Sequence, residues 1–194
     1  MAHTLRFGRL LSCLGLLVAA LVRPAVASPF VVFPKAEQLA SADGRFVVRN
    51  VDPEGATGAF VGTFHSLWLT DSATGSSRKL CDYLGVAAVG WSSQDLLIVT
   101  QYVGKKNSRV LVYSALGDEG PAMLDEHALI GMVQIEDRET LRGNDHVFIE
   151  GSSVEGETLR LRVWGYGFHD PNGFRWNCMY SLANGGISCA VPGH

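Results

Sequence analysis

The sequence lacks any run of three or more basic residues, which argues against a nucleic-acid partner. Its 194 residues include 16 basic and 19 acidic side chains. Phosphate neutralisation needs clustered Lys and Arg side chains, whereas the Lys105-Lys106 pair falls in a predicted turn. We therefore expect a mildly acidic protein that does not bind nucleic acid.

Common catalytic and metal-binding motifs are also missing. The chain contains no G-x-S-x-G, no H-E-x-x-H and no Cys/His spacing typical of a metal site. His146 and His169 each have an acidic neighbour, but both pairs lie in turn-like sequence, where Asp usually bonds the backbone. We predict no catalytic residue, metal or cofactor, and keep a small hydrolase using His146 or His169 as an alternative.

No apolar run is long enough to cross a membrane. Residues 10–22 form an apolar run, whereas a spanning helix needs about 20 residues. Arg6 and Arg9 precede the run, and Ala25-Val26-Ala27 follows it, as in a cleaved export signal. We predict a signal peptide over residues 1–27, a single β-rich domain over residues 28–194 and no membrane span in the mature form.

The predicted leader contains three basic residues and no acidic one, so 13 basic and 19 acidic side chains remain, a net charge of −6. The chain has no Asn-x-Ser/Thr glycosylation sequence, which favours a bacterial source. We therefore expect a periplasmic or extracellular location.

Cysteine is scarce, and residues 28–194 contain Cys81, Cys178 and Cys189. Cys178 and Cys189 flank Asn184-Gly185-Gly186, which is typical of a hairpin turn. In a hairpin the numbers of directly opposite residues have a constant sum, which is 369 for a two-residue turn and 367 for a four-residue loop. The two cysteines are diagonal neighbours in the first case and directly opposite in the second, so they share one face in both. We predict a Cys178–Cys189 disulfide with Cys81 left over; three unpaired thiols are the alternative.

Short β-prone segments bounded by turn residues occupy most of the chain and indicate an all-β antiparallel fold. Helical spacing of apolar residues occurs only within residues 123–141, where we expect one short helix near 124–140. The strands are expected at residues 46–49, 66–70, 77–81, 86–91, 96–100, 109–113, 147–150, 158–166 and 174–182.

Several motifs in residues 40–116 resemble the blade repeats of TolB-type and WD-like β-propellers. They are Ser41-Ala42-Asp43-Gly44-Arg45, then Leu67-Trp68-Leu69-Thr70-Asp71 with Ser72-Ala73-Thr74-Gly75, then Val89-Gly90-Trp91-Ser92-Ser93 and finally Val110-Leu111-Val112-Tyr113. The resemblance implies four-stranded meanders and a rigid binding platform. A blade takes about 40–45 residues and a closed ring needs at least four blades. We therefore expect an open stack or sandwich and no closed propeller.

Residues 158–166 alternate strictly between apolar and polar or aromatic side chains. Leu159, Leu161 and Val163 take one face, and the return strand carries Phe174, Trp176, Cys178 and Tyr180 on one parity. Aromatic and Arg side chains are favoured at binding centres. We predict a ligand-binding face made of Arg160, Arg162, Trp164, Tyr166 and Trp176; the alternative is that a second sheet or the helix covers it.

These observations predict an exported, non-catalytic β-domain that binds a protein or polymer partner, such as a polysaccharide, in the cell envelope. Besides the hydrolase, a secreted inhibitor of an enzyme or toxin would have the same sequence features. The sequence leaves the oligomeric state open.

Overall fold

The computed structural model describes residues 28–52, 64–93 and 95–190, whose strands form three successive four-stranded antiparallel meanders. The predicted signal peptide, residues 1–27, lies outside these described residues. The first meander is a separate sheet made of β3 (Gln38–Ala40), β4 (Phe46–Val51), β5 (Phe64–Asp71) and β6 (Ser77–Leu84).

The other two meanders belong to one larger sheet. The middle meander contains β7 (Ala87–Trp91), β8 (Leu96–Val103), β9 (Asn107–Ser114) and β10 (Ala122–Leu124). The last meander contains β11 (His146–Glu155), β12 (Thr158–Tyr166), β13 (Phe174–Ser181) and β14 (Ile187–Ala190). The fold is thus mainly β, with open sheets that do not close into a barrel, as predicted.

Two short helices, α1 (Glu126–Met132) and α2 (Ile135–Arg142), stand where the sequence predicts one. Val133 and Gln134 are extended and separate the helices. Asp125 caps α1 by accepting a hydrogen bond from the Ala128 backbone N–H at 2.8 Å. Leu129 and Leu141 are buried, so both helices cover the edge of the core.

Two hydrophobic cores lie on opposite faces of the middle meander. Leu97 and Val99 point into the core shared with the first sheet, whereas Ile98 and Val110 point into the core shared with the last meander and the helices. A strand buried on both faces carries apolar residues without alternation. This explains the continuous apolar run of β8 and the strict alternation of β12, which has one buried face.

Side-chain hydroxyls join the middle and last meanders where backbone pairing stops. Strands β9 and β11 share a single parallel bridge, between Asn107 and Val147. Beyond it, the buried Ser108 Oγ donates to the Ile149 carbonyl at 2.8 Å and accepts from the Ile149 N–H at 2.7 Å. Thr100 Oγ1 accepts from the Gly151 N–H at 2.9 Å. These bonds satisfy buried backbone groups that have no partner strand there.

The N-terminal segment fastens the same two meanders together. Strand β1 (Ser28–Pro29) pairs with β11, and β2 (Val31–Phe33) pairs with β7. Between them, the Phe30 ring occupies space that only glycine leaves free: a Cβ at Gly90 would lie 3.0 Å from it, and one at Gly151 2.6 Å. A substitution at either glycine would therefore displace this ring.

The last hairpin forms as predicted and carries the disulfide. Cys178 lies directly opposite Cys189, so the register with a sum of 367 is the correct one, and the two sulfurs are bonded. Cys178 faces the core, and the bridge fixes β14 to β13. Cys81 is unpaired, and burial raises the pKa of its thiol.

The Ser108 hydroxyl provides a test of how the meanders are joined. Ser108→Ala leaves the Ile149 N–H and carbonyl buried without partners, so we expect the free energy of unfolding to fall by about 2–4 kcal/mol. Urea denaturation followed by tryptophan fluorescence measures the change. The control is Ser66→Ala, which removes an exposed hydroxyl bonded to Asp82 and is expected to cost less than about 1 kcal/mol. Equal losses in the two variants would contradict the role of Ser108.

Candidate functional site

The outward side chains of β11, β12 and β13 form a face on the last meander, called here the β12 face. Arg160, Arg162, Trp164 and Tyr166 all point outward, while Leu159, Leu161 and Val163 are buried, as the alternation predicts. Arg160, Arg162 and Tyr166 are exposed, and Trp164 is partly buried. Four of the five predicted site residues therefore share one surface.

The prediction for Trp176 is wrong. Val163 pairs with Trp176, and Trp164 pairs with Arg175. Because paired residues point to the same side of a sheet, Trp176 joins Val163 in the core, where it is 3% exposed. The parity shared by Phe174, Trp176, Cys178 and Tyr180 is that of the core, and the site contains Arg175 in place of Trp176.

Two aromatic stacks run across the β12 face. Tyr166 stacks on His146 with 4.3 Å between ring centroids, and Trp164 stacks on Phe148 at 4.2 Å. Each pair also lies directly opposite in the register of β11 and β12. Each ring of β12 therefore has one face covered by β11 and the other directed toward β13.

Acidic groups of β11 hold part of this surface in place. Glu150 accepts a hydrogen bond from the Tyr102 hydroxyl at 2.8 Å and lies 3.8 Å from the Arg162 guanidinium. Burial and this hydrogen bond raise the pKa of Tyr102 to about 12, so its hydroxyl remains a donor at neutral pH. Arg160 makes two hydrogen bonds, of 3.0 and 2.9 Å, to the Glu155 carboxylate.

Arg175 differs from these two arginines. It is exposed on β13, directly opposite Trp164. Within the described part of the chain its guanidinium has no hydrogen-bond, ion-pair or ring partner. Its donors are available to a ligand.

Shallow cavities lie at both ends of the β12 face. The larger, of about 570 Å³, is lined by Trp164, Tyr166, Arg175 and the turn residues Pro171, Asn172 and Gly173. Gly173 has a φ of 81°, and a Cβ built there would lie 3.9 Å from the Tyr166 Cβ, so this position places no side chain beside Tyr166. The other cavity, of about 280 Å³, is lined by Ser152, Arg160, Leu161, Asn177, Cys178, Met179 and Ala190.

The loop that borders the larger cavity is anchored to the end of α2. Asn144 donates to the Asp170 carboxylate at 2.8 Å and accepts from the Asp170 N–H at 3.1 Å. A Cβ at Gly167 would lie 2.5 Å from the Asp145 nitrogen, so this close approach requires glycine. Phe168, in the same loop, is 93% exposed.

Neither histidine of the hydrolase alternative contacts a nucleophile or a carboxylate among the described residues. His146 stacks on Tyr166, and its Nδ1 is buried without a partner. His169 is exposed and uses its backbone N–H to bond the Gly143 carbonyl. In residues 28–52, 64–93 and 95–190 no group of three His, Cys, Asp or Glu side chains could hold a metal ion.

The sequence did not single out one Asp–His contact, between the buried His65 of the first sheet and the exposed Asp52, which follows β4. His65 Nδ1 is 2.5 Å from Asp52, and this hydrogen bond lowers the pKa of the Asp52 carboxyl. The His65 ring stacks on Tyr83, whose hydroxyl donates to Asn50 at 2.6 Å. The described residues around this network supply no Ser or Cys nucleophile to His65.

Comparison with known proteins gives no match among family models, curated proteins or solved structures. The chemistry of the β12 face therefore has to be argued from its own residues.

Sequence reasoning missed Tyr102, Phe148, Glu150 and Arg175. The continuous apolar run at the start of β11 hides the outward position of Phe148, since its neighbours Val147 and Ile149 are also apolar. The outward position of Arg175 depends on how β13 pairs with β12, which local alternation does not determine. Tyr102 comes from another meander and has no local signal.

Asn144 provides a test of the loop anchor. Asn144→Asp places a second carboxylate against Asp170, so we expect a loss of stability of about 2 kcal/mol or more at neutral pH. Sharing one proton raises the folded-state pKa of the pair above the unfolded value of about 4, so the deficit should shrink as pH falls toward that value. Thermal unfolding of the variant and of wild type from about pH 7 to about pH 4 measures this stability deficit.

The matched control is Asn184→Asp, which makes the same charge change at an exposed turn where Asn184 Oδ1 accepts from the Gly186 N–H. Its stability relative to wild type should vary little with pH. A deficit in Asn144→Asp that is constant across the pH range would show that the contact with Asp170 does not matter.

Proposed function

We propose that the protein is an exported, non-catalytic binding domain whose partner lies across the β12 face. The observation that carries the proposal is a set of outward aromatic and guanidinium side chains with no other described layer packed over them. Such residues bury much area with little loss of entropy and are enriched at binding centres. The resemblance to propeller blades remains a prediction and agrees with this role.

Export is part of the proposal. The Cys178–Cys189 disulfide is compatible with an oxidising compartment outside the cytoplasm. The leader sequence supports the same assignment, although residues 1–27 lie outside the described residues. Among the helices that the structure describes, none has the length and apolar character needed to span a membrane.

The shape of the face favours an extended partner. From Arg160 to Tyr166, strand β12 covers roughly 20 Å, at about 3.3 Å per residue. Cavities at both ends of this stretch are shallow and open, whereas small-molecule sites usually enclose most of the ligand. A polymer or an extended segment of another protein fits this surface better than a single small molecule.

Trp164 is the residue that tests the proposal. We expect immobilised Trp164→Ala protein to retain at least about tenfold less envelope material than wild type, because a central aromatic side chain contributes about 2 kcal/mol or more. Retained protein and total sugar from an envelope extract of the source organism are quantified after washing. Material captured equally by wild type and variant would refute binding at this face.

The matched control is Trp68→Ala. Trp68 is also a partly buried, outward tryptophan in an inner strand, but it belongs to the first sheet. Replacing Trp68 should leave the amount of retained envelope material unchanged.

The hydrolase alternative is tested with esterase, peptidase and glycosidase substrates; turnover that disappears in His146→Ala or His169→Ala would overturn the non-catalytic assignment.

A further inference from the structure

Charge and ring geometry at the β12 face point to one class of partner. Resting on the proposed binding function, we infer that the partner is an acidic polysaccharide. Its carboxylates pair with Arg162 and Arg175, and its sugar rings pack on Trp164 and Tyr166.

The guanidinium groups of the face are not equally occupied. Arg160 is held by two hydrogen bonds to Glu155. Arg162, whose side chain is half exposed, forms an ion pair with Glu150 at 3.8 Å but no hydrogen bond with it, and the other oxygen of Glu150 accepts from Tyr102. Arg175 has no partner among the described residues. The N–H groups of Arg175 are therefore free and those of Arg162 make no hydrogen bond to Glu150. A guanidinium fork matches a carboxylate geometrically.

These two arginines are diagonal neighbours. Arg162 pairs with Asn177, and Arg175, two residues earlier on β13, pairs with Trp164. Diagonal side chains across antiparallel strands start about 7–8 Å apart, which long side chains can span. Both groups can thus contact one ligand segment, with the Trp164 ring beside them.

The aromatic rings supply the complementary apolar contact. Tyr166 is covered by His146 on one side, and its other side opens toward Gly173 and the larger cavity. A ring face carries negative charge density and attracts the C–H groups on the flat side of a sugar ring. Asn172 and Asn177, at the two cavities, add amide groups that can bond sugar hydroxyls.

The same surface suits an acidic peptide less well. An extended peptide gains affinity mainly by adding a strand to a sheet edge. Strand β12 is paired on both sides, with β11 and β13, so its backbone groups are already used. Sugar hydroxyls need no free backbone groups, because side chains can bond them.

Charge complementarity is local. Outward charges of β11, β12 and β13 comprise Arg160, Arg162 and Arg175 against Glu150 and Glu155, on a chain of net charge −3. At physiological salt such charges act over about 8 Å, so the attraction is confined to this face. A nucleic acid, which is densely charged, would also lie against the acidic remainder of the chain. The more widely spaced carboxylates of an acidic polysaccharide would contact the arginines.

The test uses three carboxylated glycans, polygalacturonate, alginate and hyaluronate, and methyl-esterified polygalacturonate as an uncharged match. Poly-glutamate and single-stranded DNA represent the other polyanions. Binding to the mature chain is measured by isothermal titration calorimetry at two salt concentrations. We expect at least one carboxylated glycan to bind, with affinity falling as salt rises, and the methyl ester to bind at least about tenfold more weakly.

Variants assign the contacts. Arg162→Gln and Arg175→Gln should each raise Kd about tenfold, whereas Arg45→Gln, which removes an arginine bonded to Asp71 beside the first sheet, should change Kd less than about twofold. Binding of poly-glutamate or DNA in preference to every glycan would overturn the inference. Equal binding of the esterified polymer would do the same.

The experiment separates this inference from the proposed function. If wild type binds the neutral polymer as well as the acidic ones and Trp164→Ala does not bind it, the binding face is supported and the specificity for acidic polysaccharides is refuted. No glycan binding, together with envelope material retained equally by wild type and Trp164→Ala, would remove both.

Discussion

The middle meander is buried on both faces, and this constraint determines where the molecule can present a surface. Leu97 and Val99 serve one core, while Ile98 and Val110 serve the other, so neither face of this sheet is available. The two outer meanders each keep one free face. Because β9 and β11 share a single bridge, the position of the last meander depends on hydroxyl bonds from Ser108 and Thr100 and on the segment that carries β1 and β2. The β12 face is the side of the last meander turned away from the middle one.

Rigidity of the β12 face follows from how its polar groups are used. Glu150 is shared between Tyr102 and Arg162, and Asp170 is bonded by Asn144. Tyr102 lies on β8, so the middle meander helps to orient the last one. Fixed side chains lose little entropy on binding, which favours recognition by a preformed surface.

Much of the fold could be predicted from the sequence because turns and alternation are local. Residues 158–166, the Cys178–Cys189 pair and the Asn184-Gly185-Gly186 turn follow from nearest-neighbour chemistry. The buried position of Trp176 could not be predicted, because the pairing of β12 with β13 depends on the loop over residues 167–173. A one-residue change of register exchanges the two faces of a strand. The contacts of Phe30 with Gly90 and Gly151 could not be predicted either, because they form only when three segments distant in sequence come together.

The contact between the buried His65 and the exposed Asp52 shows why an Asp–His contact alone does not indicate an enzyme. His65 Nδ1 bonds Asp52, its ring stacks on Tyr83, and its Nε2 is enclosed without a partner. Enclosure removes the imidazole from substrate, and no described nucleophile contacts it. At the β12 face the situation is reversed: free donors are exposed, but they belong to guanidinium groups, which do not give up a proton at physiological pH. The exposed guanidinium of Arg175 can therefore donate hydrogen bonds to a ligand, whereas it cannot act as a general acid or base.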